Sequence, residues 1–461
     1  MLIQSFSGIR GVYGKDLTDD IARRYAYVFN EFVTNKVNKK PKIVVGYDTR
    51  DSSEALRGAI VDSLFDIIDV GVMPVAAVEL GVREYKADGG IMITASHNEP
   101  DFNGFKFLDK DGAVLRPNDM DKVISSFKKL SSLSEVDFLN NHLYKDELKG
   151  TIKKITKKHN DLIDKYCNFL NKIVGKVDNN VKVILDVNGG AGIILDEIIK
   201  KLNIDNIIII NDEKGEFKRK IEPNKESLKG LKSEVNKENA EFAAGFDSDA
   251  DRVEILLKDG GLVDGNYLLA LIVDDVLSKD NGVVVTNDAT SNVVRAITEK
   301  HNCTVKEVEV GEINVVDKVL ELDSPIGGEG SNGGVILPPS RCRDGILSIL
   351  YLLNIINSKK RSLKELIDEL PKYYTTQKKI KFNKKADNKT IKKKIKDYYS
   401  DKKYKIQETG DITGGLKIVI DKDTFVWFRF SKTEENLLRV IVDSDNQAET
   451  DRLLGQTVFL N

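Results

Sequence analysis

Ser96 stands in a short stretch, residues 94–106, that also holds an imidazole, an amide and an ammonium group. The stretch follows an apolar run, Ile91-Met92-Ile93, of the kind that forms a buried strand. In open α/β sheets, the loop after such a strand is where ligands bind. We therefore expect a functional loop, with Gly104 letting the chain fold back just before Lys106. The alternative is a polar loop whose serine and asparagine merely cap a turn.

The surroundings of Ser96 argue against a serine hydrolase. A nucleophile elbow needs glycine two residues before and two residues after the serine, and Thr94 and Asn98 stand at those positions. His97 is the next residue, and neighbouring side chains of an extended chain point to opposite faces. We therefore expect His97 to be a poor general base for Ser96.

Three aspartates, Asp247, Asp249 and Asp251, stand at alternate positions in a second stretch. Their carboxylates can converge on one cation when the loop curls, and hard oxygen ligands suit Mg²⁺. An EF-hand would need glycine and glutamate where Arg252 and Lys258 stand, so that alternative fails. A solvated acidic turn remains open, although predicted strands on both sides favour a packed loop.

Two further stretches suit ligand binding, one through hydroxyl groups and the other through a phosphate. Residues 327–334 are glycine-rich around Glu329 and Ser331, so the backbone can approach a ligand and the carboxylate can accept from vicinal hydroxyls. A hairpin turn is the alternative there. Residues 429–439 gather cationic and hydroxyl groups that suit a phosphate, namely Arg429, Ser431, Thr433 and Arg439.

Taken together, these stretches resemble motifs of the α-D-phosphohexomutase family. Residues 94–106 are similar to its active-site loop, T/S-A/G-S-H-N-P-x-x-x-N-G-x-K, with Glu99 in place of a common proline. Residues 247–252 are similar to its metal loop, D-G-D-x-D-R, with Ser248 for the usual glycine. The other motifs follow in the family's order: I-R-G around Arg10, G-x-D-x-R-x-S-S at residues 46–53, G-E-x-S-G at 327–334, and R-x-S-G/N-T-E-P-x-x-R at 429–439.

The resemblance implies a role for each of these residues. It implies that Ser96 carries a phosphoryl group and joins Asp247, Asp249 and Asp251 in binding Mg²⁺. It implies that His97, Lys106 and Arg10 are catalytic, and we prefer Lys106 as the base because arginine keeps its proton. The residues implied in substrate binding are Arg252, Glu329, Ser331, Arg429, Ser431, Thr433 and Arg439.

The implied reaction interconverts hexose 1-phosphate and hexose 6-phosphate. Phosphorylated Ser96 gives its phosphoryl group to a free hydroxyl, a hexose 1,6-bisphosphate forms and reorients, and Ser96 takes back the other phosphate. A phosphoserine brings two negative charges, which Mg²⁺ touching both the phosphoserine and the three aspartates would offset. The bisphosphate is thus expected as intermediate and activator, and a small phosphosugar as the partner.

Several alternatives stay open. The resemblance favours phosphoglucomutase/phosphomannomutase activity over phosphoglucosamine mutase activity, but Gly333 and Gly334 stand where bacterial members often carry a histidine. A phosphatase, or a non-catalytic phosphosugar-binding protein, would use the same residues. A nucleic-acid binder would need the lysine-dense residues 378–405, which an amphipathic helix explains better at a net charge of −2.

Alternating strand and helix patterns must position these motifs. They predict three related, doubly wound α/β units with mixed sheets and a small C-terminal α+β unit, similar in the family to the TATA-box-binding protein. We place the domains at residues 1–150 (phosphoserine loop), 151–254 (metal loop), 255–368 (sugar loop) and 369–461 (phosphate loop). Gly8 and Gly11 predict a flexible turn that exposes Arg10.

Composition restricts the class of protein further. The 461 residues carry Lys+Arg 71 against Asp+Glu 73, so no general attraction to nucleic acid is expected. The N-terminus lacks a signal-peptide pattern and no apolar run spans a bilayer, so we expect a cytoplasmic protein that does not bind membranes. The three cysteines are far apart and show no zinc spacing. Whether the protein is a monomer or a homo-oligomer is not decided by the sequence.

Overall fold

The computed structural model describes residues 2–143, 153–330, 333–382, 387–400, 402, 404–411, 413–431 and 436–460. Internal contacts divide the chain into two compact units. The first comprises Met1–Leu262 and Pro339–Ser358, and the second comprises Val263–Pro338 and Lys359–Asn461. The boundary predicted near residue 150 lies outside the described residues, and the division into four domains stays a prediction.

The first sheet of the first unit combines parallel and antiparallel strands. Among the described residues its strands are β1 (Ile3–Ser5), β2 (Gly8–Val12), β3 (Lys42–Tyr47), β4 (Asp66–Val72), β5 (Gly89–Ile93), β6 (Phe102–Leu108) and β7 (Lys154–Lys157), in the order β1-β2-β6-β5-β3-β4-β7. Its helices are α1 (Asp19–Val37), α2 (Ser53–Asp62), α3 (Val75–Glu84), α4 (Pro117–Leu130) and α5 (Glu135–Phe138). Strand β3 runs parallel to β4 and β5, whereas β6 runs antiparallel to β5 and β2.

Helix α1 illustrates how the sequence fixes these elements. Thr18 caps it by accepting a hydrogen bond from the amide of Ile21 at 3.3 Å, and acidic residues fill the first turn, where the helix dipole favours them. Tyr25, Phe29 and Val33 recur every fourth residue and are buried against the sheet. Burying each such side chain contributes about 1.5–3 kcal/mol, so the apolar stripe holds the helix in place.

The second sheet of the first unit carries the aspartate loop. Within the described part of the chain its strands are β8 (Val183–Asp186), β9 (Ile207–Ile210), β10 (Phe242–Phe246), β11 (Val253–Leu257) and β12 (Leu262–Val263), in the order β12-β11-β10-β8-β9. Its helices are α6 (His159–Val174), α7 (Leu195–Leu202), α8 (Lys225–Leu228) and α9 (Leu231–Lys237). Strand β10 runs parallel to β8 and antiparallel to β11, so residues 247–252 form the turn between two paired, buried strands.

The second unit contains two sheets, and the first of them is again mixed. Its described strands are β13 (Val283–Asn287), β14 (Thr304–Val308), β15 (Ile326–Gly328) and β16 (Val335–Ile336), in the order β14-β13-β15-β16. The helices are α10 (Gly265–Leu277), α11 (Asn292–Lys300), α12 (Glu312–Glu321) and α14 (Leu363–Asp368). Helix α13 (Gly345–Lys359) lies between them in sequence, but most of it belongs to the first unit.

The C-terminal sheet is antiparallel throughout its described pairs. Its strands are β17 (Tyr374–Lys381), β18 (Lys405–Glu408), β19 (Leu416–Val419), β20 (Phe425–Phe430) and β21 (Leu437–Ser444), in the order β17-β21-β20-β19-β18. Two helices, α15 (Asn388–Ser400) and α16 (Gln447–Gln456), accompany it. Helix α15 buries Ile395 and Tyr399, as an amphipathic helix does, but Lys392 is also buried and donates to the carbonyl of Asp411 at 3.3 Å.

The predicted fold class is confirmed: mixed α/β sheets are followed by a C-terminal α+β sheet. Two local predictions are wrong. Arg10 lies in strand β2 rather than on an exposed turn, and Gly104 lies inside strand β6 rather than at a bend. A Cβ at Gly104 would stand 1.9 Å from the carbonyl oxygen of Ile9, so glycine is required there for the close approach of β2. Searching the described residues for a helix able to span a membrane gives none.

Candidate active site

Ser96 lies directly after strand β5 with a left-handed backbone, at a φ of 50°. A non-glycine residue there costs about 1–3 kcal/mol and persists only when its surroundings hold it. Its amide donates to Thr94 Oγ1 at 2.8 Å, and its carbonyl accepts from Arg50 at 2.8 Å and from Ser248 at 2.7 Å. The conformation of Ser96 is therefore fixed from both sides.

Arg50 supports the whole loop that contains Ser96. Its side chain is fully buried and pairs with Asp48 at 3.0 Å. The guanidinium also donates to four backbone carbonyls of the loop, those of Ser96, Asn98, Glu99 and Phe102. The motif at residues 46–53 includes Arg50, but the sequence predicted no role for it. In the structure, Arg50 supports this loop through these hydrogen bonds.

The aspartate loop meets Ser96 within the first unit. Ser96 Oγ donates to Asp247 Oδ2 at 3.0 Å, and one ligand oxygen from each of Asp247, Asp249 and Asp251 lies within 4.8 Å of the others. All three side chains are buried, and Oδ1 of Asp249 and of Asp251 accept no hydrogen bond from any described residue. Burial, followed by Asp249 and Asp251, raises the pKa of Asp247 well above its ordinary value. An oxygen-only set with unsatisfied buried carboxylates fits a hard cation such as Mg²⁺.

Lys106 and Arg10 reach the loops from neighbouring strands. Lys106 Nζ lies 2.8 Å from Asp249 Oδ2 and donates to Asp251 Oδ2 at 2.9 Å. Arg10 Nη1 donates to Asn98 Oδ1 at 3.1 Å. Strand register explains both positions, because β6 pairs with β5 on one side and with β2 on the other.

His97 lies closer to Ser96 than predicted. The distance from Ser96 Oγ to His97 Nδ1 is 3.4 Å, because the left-handed backbone at Ser96 curls the loop and removes the alternation of an extended chain. The expectation of opposite faces is therefore wrong. The Arg252 guanidinium, together with burial and Arg10, lowers the pKa of His97 far below its ordinary value, so the imidazole is neutral.

Arg252 borders the aspartate loop on its other side. Its amide donates to Asp247 Oδ1 at 3.2 Å, and its Nη1 donates to Glu222 at 3.3 Å. Arg343, which no motif marked, donates from Nη2 to Asp251 Oδ2 at 3.3 Å. Sequence reasoning missed it because it precedes helix α13, an element that the sequence analysis did not predict.

In the second unit, Glu329 joins two turns. Its Oε1 accepts from Asn287 Nδ2 at 2.9 Å and from the amide of Gly311 at 2.8 Å. The glycine-rich stretch links β15 to the antiparallel β16, so the hairpin alternative holds for its backbone. Ser331 lies outside the described residues.

Also in the second unit, Arg429 of β20 pairs directly with Arg439 of β21. Like charges facing each other across a sheet are destabilising unless an anion lies between them. Arg429 Nη2 lies 3.5 Å from Glu309 Oε1, and its Nε is buried without a hydrogen bond among the described residues. Ser431 follows β20, and its amide donates to the carbonyl of Leu437 at 2.8 Å. Thr433 lies outside the described residues.

Three family models match the chain in order. They are domains I, II and III of phosphoglucomutase/phosphomannomutase, each described as alpha/beta/alpha, at residues 2–134, 164–260 and 264–374. A phosphoglucomutase/phosphomannomutase of Thermococcus kodakarensis is 32% identical over 97% of this chain and 95% of its own length. A probable phosphoglucosamine mutase of Pyrococcus horikoshii is 29% identical, with the same coverage.

Solved structures are similar over the same extent. A phosphoglucomutase/phosphomannomutase family protein of Burkholderia thailandensis has a TM-score of 0.81 at 23% identity, covering 99% of this chain and 97% of its own. An N-acetylphosphoglucosamine mutase of Aspergillus fumigatus, in complex with GlcNAc-6P and magnesium, has a TM-score of 0.65 at 15% identity, covering 100% and 95%. The chain belongs to the α-D-phosphohexomutase family of isomerases, which transfer a phosphoryl group within a hexose phosphate.

Proposed function

We propose that the protein interconverts hexose 1-phosphate and hexose 6-phosphate through phosphorylated Ser96 and a hexose 1,6-bisphosphate. The observation that carries this proposal is the hydrogen bond from Ser96 Oγ to Asp247 Oδ2 at 3.0 Å, inside a buried cluster of three aspartates. A phosphoryl group on this hydroxyl would lie beside a cation bound by the carboxylates.

Asp247, Asp249, Asp251 and the phosphate on Ser96 would hold Mg²⁺. The bound cation would offset the charge of the phosphoryl group and polarise its phosphorus. The donor set supports this choice, because it consists of oxygens and includes carboxylate oxygens without hydrogen-bond partners among the described residues.

The first transfer moves the phosphoryl group from Ser96 to a hydroxyl of the hexose phosphate. The bond from phosphorus to Ser96 Oγ breaks, and a bond from phosphorus to the sugar oxygen forms. The ammonium of Lys106 gives a proton to the departing oxygen of Ser96 and takes up the proton of the sugar hydroxyl, so Ser96 ends as a hydroxyl and Lys106 is an ammonium again. The bisphosphate then turns around, and the same step runs in reverse with its other phosphate.

Lys106 is the base of this proposal. Its ammonium product would be stabilised by Asp249 and Asp251, which lie 2.8 and 2.9 Å from Nζ. Arg10, which donates to the amide side chain of Asn98 in the phosphoserine loop, supplies positive charge instead. The neutral imidazole of His97 can accept from or donate to groups beside Ser96 without adding charge.

The second unit would bind the rest of the substrate. We propose that Glu329 accepts from sugar hydroxyls, and that Arg429, Arg439 and Ser431 hold the phosphate that is not reacting. The facing arginines support the second assignment, since an anion between them would relieve their repulsion. The roles of Ser331 and Thr433 rest on their motifs alone. We propose Arg252 as a further contact to the substrate.

Glucose and mannose phosphates are the proposed substrates, in line with the relative named phosphoglucomutase/phosphomannomutase. Glucosamine phosphate is the second candidate, because another relative is named a probable phosphoglucosamine mutase. The test uses purified protein, Mg²⁺, glucose 1,6-bisphosphate, and the 1-phosphates of glucose, mannose and glucosamine in separate reactions. We expect the 6-phosphate isomer with little inorganic phosphate. Inorganic phosphate as the main product would indicate a phosphatase, and tight binding without turnover would indicate a phosphosugar-binding protein.

A further inference from the structure

After the glycine-rich stretch, the chain re-enters the first unit at Pro339. Hydrogen bonds fix the residues that follow. Tyr166 of helix α6 donates to the carboxylate of Asp344 at 2.8 Å. Asp344 also accepts from the amide of Leu347 at 2.9 Å, and the amide of Gly345 donates to the carbonyl of Ala250 at 3.1 Å. The turn ahead of helix α13 is thus hydrogen-bonded to the aspartate loop itself.

This turn brings Arg343 against the aspartate loop. The Arg343 side chain is only 9% exposed, and its Nη2 lies 3.3 Å from Asp251 Oδ2. Lys106 donates to the same oxygen at 2.9 Å. Two cations therefore bind one carboxylate oxygen, while Oδ1 of Asp251 accepts no hydrogen bond from the described residues. Asp251 is therefore hydrogen-bonded through Oδ2, while its Oδ1 lies 3.8 Å from Arg252 Nε.

With Mg²⁺ bound, the charges around Ser96 would leave a positive surplus. Arg10, Lys106, Arg252 and Arg343 balance the three aspartates and Glu222, which pairs with Arg252, and a bound Mg²⁺ would add two further positive charges. Arg343 contacts Asp251, whose carboxylate clusters with that of Asp247, and Asp247 accepts the hydrogen bond from Ser96 Oγ. Placing like charges together is unfavourable, and a phosphoryl dianion would balance them.

We propose that Arg343 is a positioning residue of the phosphoryl-transfer site, which holds Asp251 by its Oδ2 and supplies positive charge for the phosphoryl group on Ser96. This inference rests on the proposed function. Arg343 takes no part in bond making or proton transfer. Its charge stabilises the phosphoryl group as it moves between Ser96 and the sugar, so its loss affects turnover more than the binding of the sugar.

The test compares Arg343→Gln, which removes the charge, with Arg343→Lys, which keeps it. Arg341→Gln is the matched control, because Arg341 lies two residues away and donates to the carbonyls of Pro339 and Ser340 instead. We expect Arg343→Gln to lower kcat for glucose 1-phosphate about 100-fold with a smaller change in KM. We expect Arg343→Lys to stay within about tenfold of wild type and Arg341→Gln to match it.

Two binding measurements separate this role from mere support of the fold. Glucose 1,6-bisphosphate is titrated calorimetrically in EDTA, and Mn²⁺ is titrated without substrate. We expect Arg343→Gln to weaken bisphosphate binding about tenfold, because the guanidinium charge that attracts the phosphates is lost. Mn²⁺ should bind no more weakly than to wild type, because the same charge repels the metal ion. Arg343→Met repeats both measurements, so a folding defect of one variant does not remove the test.

The inference is overturned if Arg343→Gln or Arg343→Met keeps the kcat of wild type. It is also overturned if Arg343→Lys is as inactive as Arg343→Gln and both lose Mn²⁺, since Arg343 would then only support the loop. A wild-type protein that forms no isomer contradicts the proposed function instead, so the two failures are distinguishable.

Discussion

The hydroxyl of Ser248 lies 2.7 Å from the carbonyl oxygen of Ser96 and joins the aspartate loop to the loop that contains Ser96. The same hydroxyl lies 2.9 Å from Asp48 Oδ2 and accepts from Arg50 Nη2 at 3.2 Å. Ser248 is 1% exposed, so this bond is shielded from water. Because the family motif usually has glycine here, the connection is a property of this chain rather than of the motif.

We expect Ser248→Ala to lower kcat about tenfold with KM unchanged, because Ser96 is less firmly held opposite Asp247. The free energy of unfolding should fall by about 1–2 kcal/mol, the cost of leaving buried polar partners unsatisfied. Steady-state kinetics and urea unfolding measure both. Ser7→Ala, at an exposed serine of the same unit, is the control. An unchanged kcat in Ser248→Ala would show that the connection has no part in the reaction.

Asp249→Asn tests the cation site by removing one charge at nearly constant shape. We expect turnover to fall about 100-fold or more and Mg²⁺ affinity to fall with it, because a carboxylate with an unsatisfied buried oxygen is lost. Wild-type activity should also vanish in EDTA and return with Mg²⁺. Asp212→Asn, at an exposed acid of the same unit, should behave as wild type. Equal metal affinity in Asp249→Asn and wild type would exclude the loop as the metal site.

Arg429→Ala tests the proposed phosphate-binding site in the second unit. We expect KM for the hexose phosphate to rise about 10- to 100-fold, the effect of losing charge-assisted hydrogen bonds of about 1.5–3 kcal/mol. The fraction of phosphate lost to water should rise as well. Thermal stability should change little, because the lost ion pair with Glu309 is offset by the relieved repulsion from Arg439. Lys405→Ala, on strand β18, is the control, and an unchanged KM in Arg429→Ala would move the phosphate site elsewhere.

Asp344 makes stability depend on pH in a predictable direction. Burial raises its pKa from 3.8 to about 6, so the folded state binds this proton more tightly than the unfolded chain. The stability that it contributes is therefore complete below about pH 4 and is lost as pH rises through about 6. Asp344→Asn does not ionise, so it should gain roughly 2–3 kcal/mol relative to wild type between about pH 4 and pH 7. Urea unfolding across this range measures it, and parallel curves for the two proteins would refute the shift.

The sequence predicted those features that local patterns determine. Alternating strands and helices are recognisable one element at a time, and the turn at residues 247–252 lies between two apolar runs that each form a strand. The convergence of Asp247, Asp249 and Asp251 follows from spacing and a tight turn. Their approach to Ser96 rested on family resemblance, because it depends on how two sheets pack within one unit.

The features that the sequence did not predict depend on contacts between distant residues. From the sequence alone, the glycine at position 104 suggests a turn. The structure shows instead that a Cβ there would stand 1.9 Å from the carbonyl oxygen of Ile9 in strand β2. The orientation of His97 depends on the backbone of Ser96, which Arg50 and Ser248 hold from elsewhere in the chain. Arg343 carries no local signal, since its partner Asp251 lies far away in sequence.

Intact-mass analysis after incubation with glucose 1,6-bisphosphate tests the central claim most directly. We expect the wild-type protein to gain the mass of one phosphoryl group, and Ser96→Ala to gain none and to form no hexose 6-phosphate. His97→Ala should still become phosphorylated, which separates Ser96 from its neighbour at 3.4 Å. A Ser96→Ala protein that isomerises hexose phosphates at the wild-type rate, or a phosphoryl group found on another residue, would contradict the account.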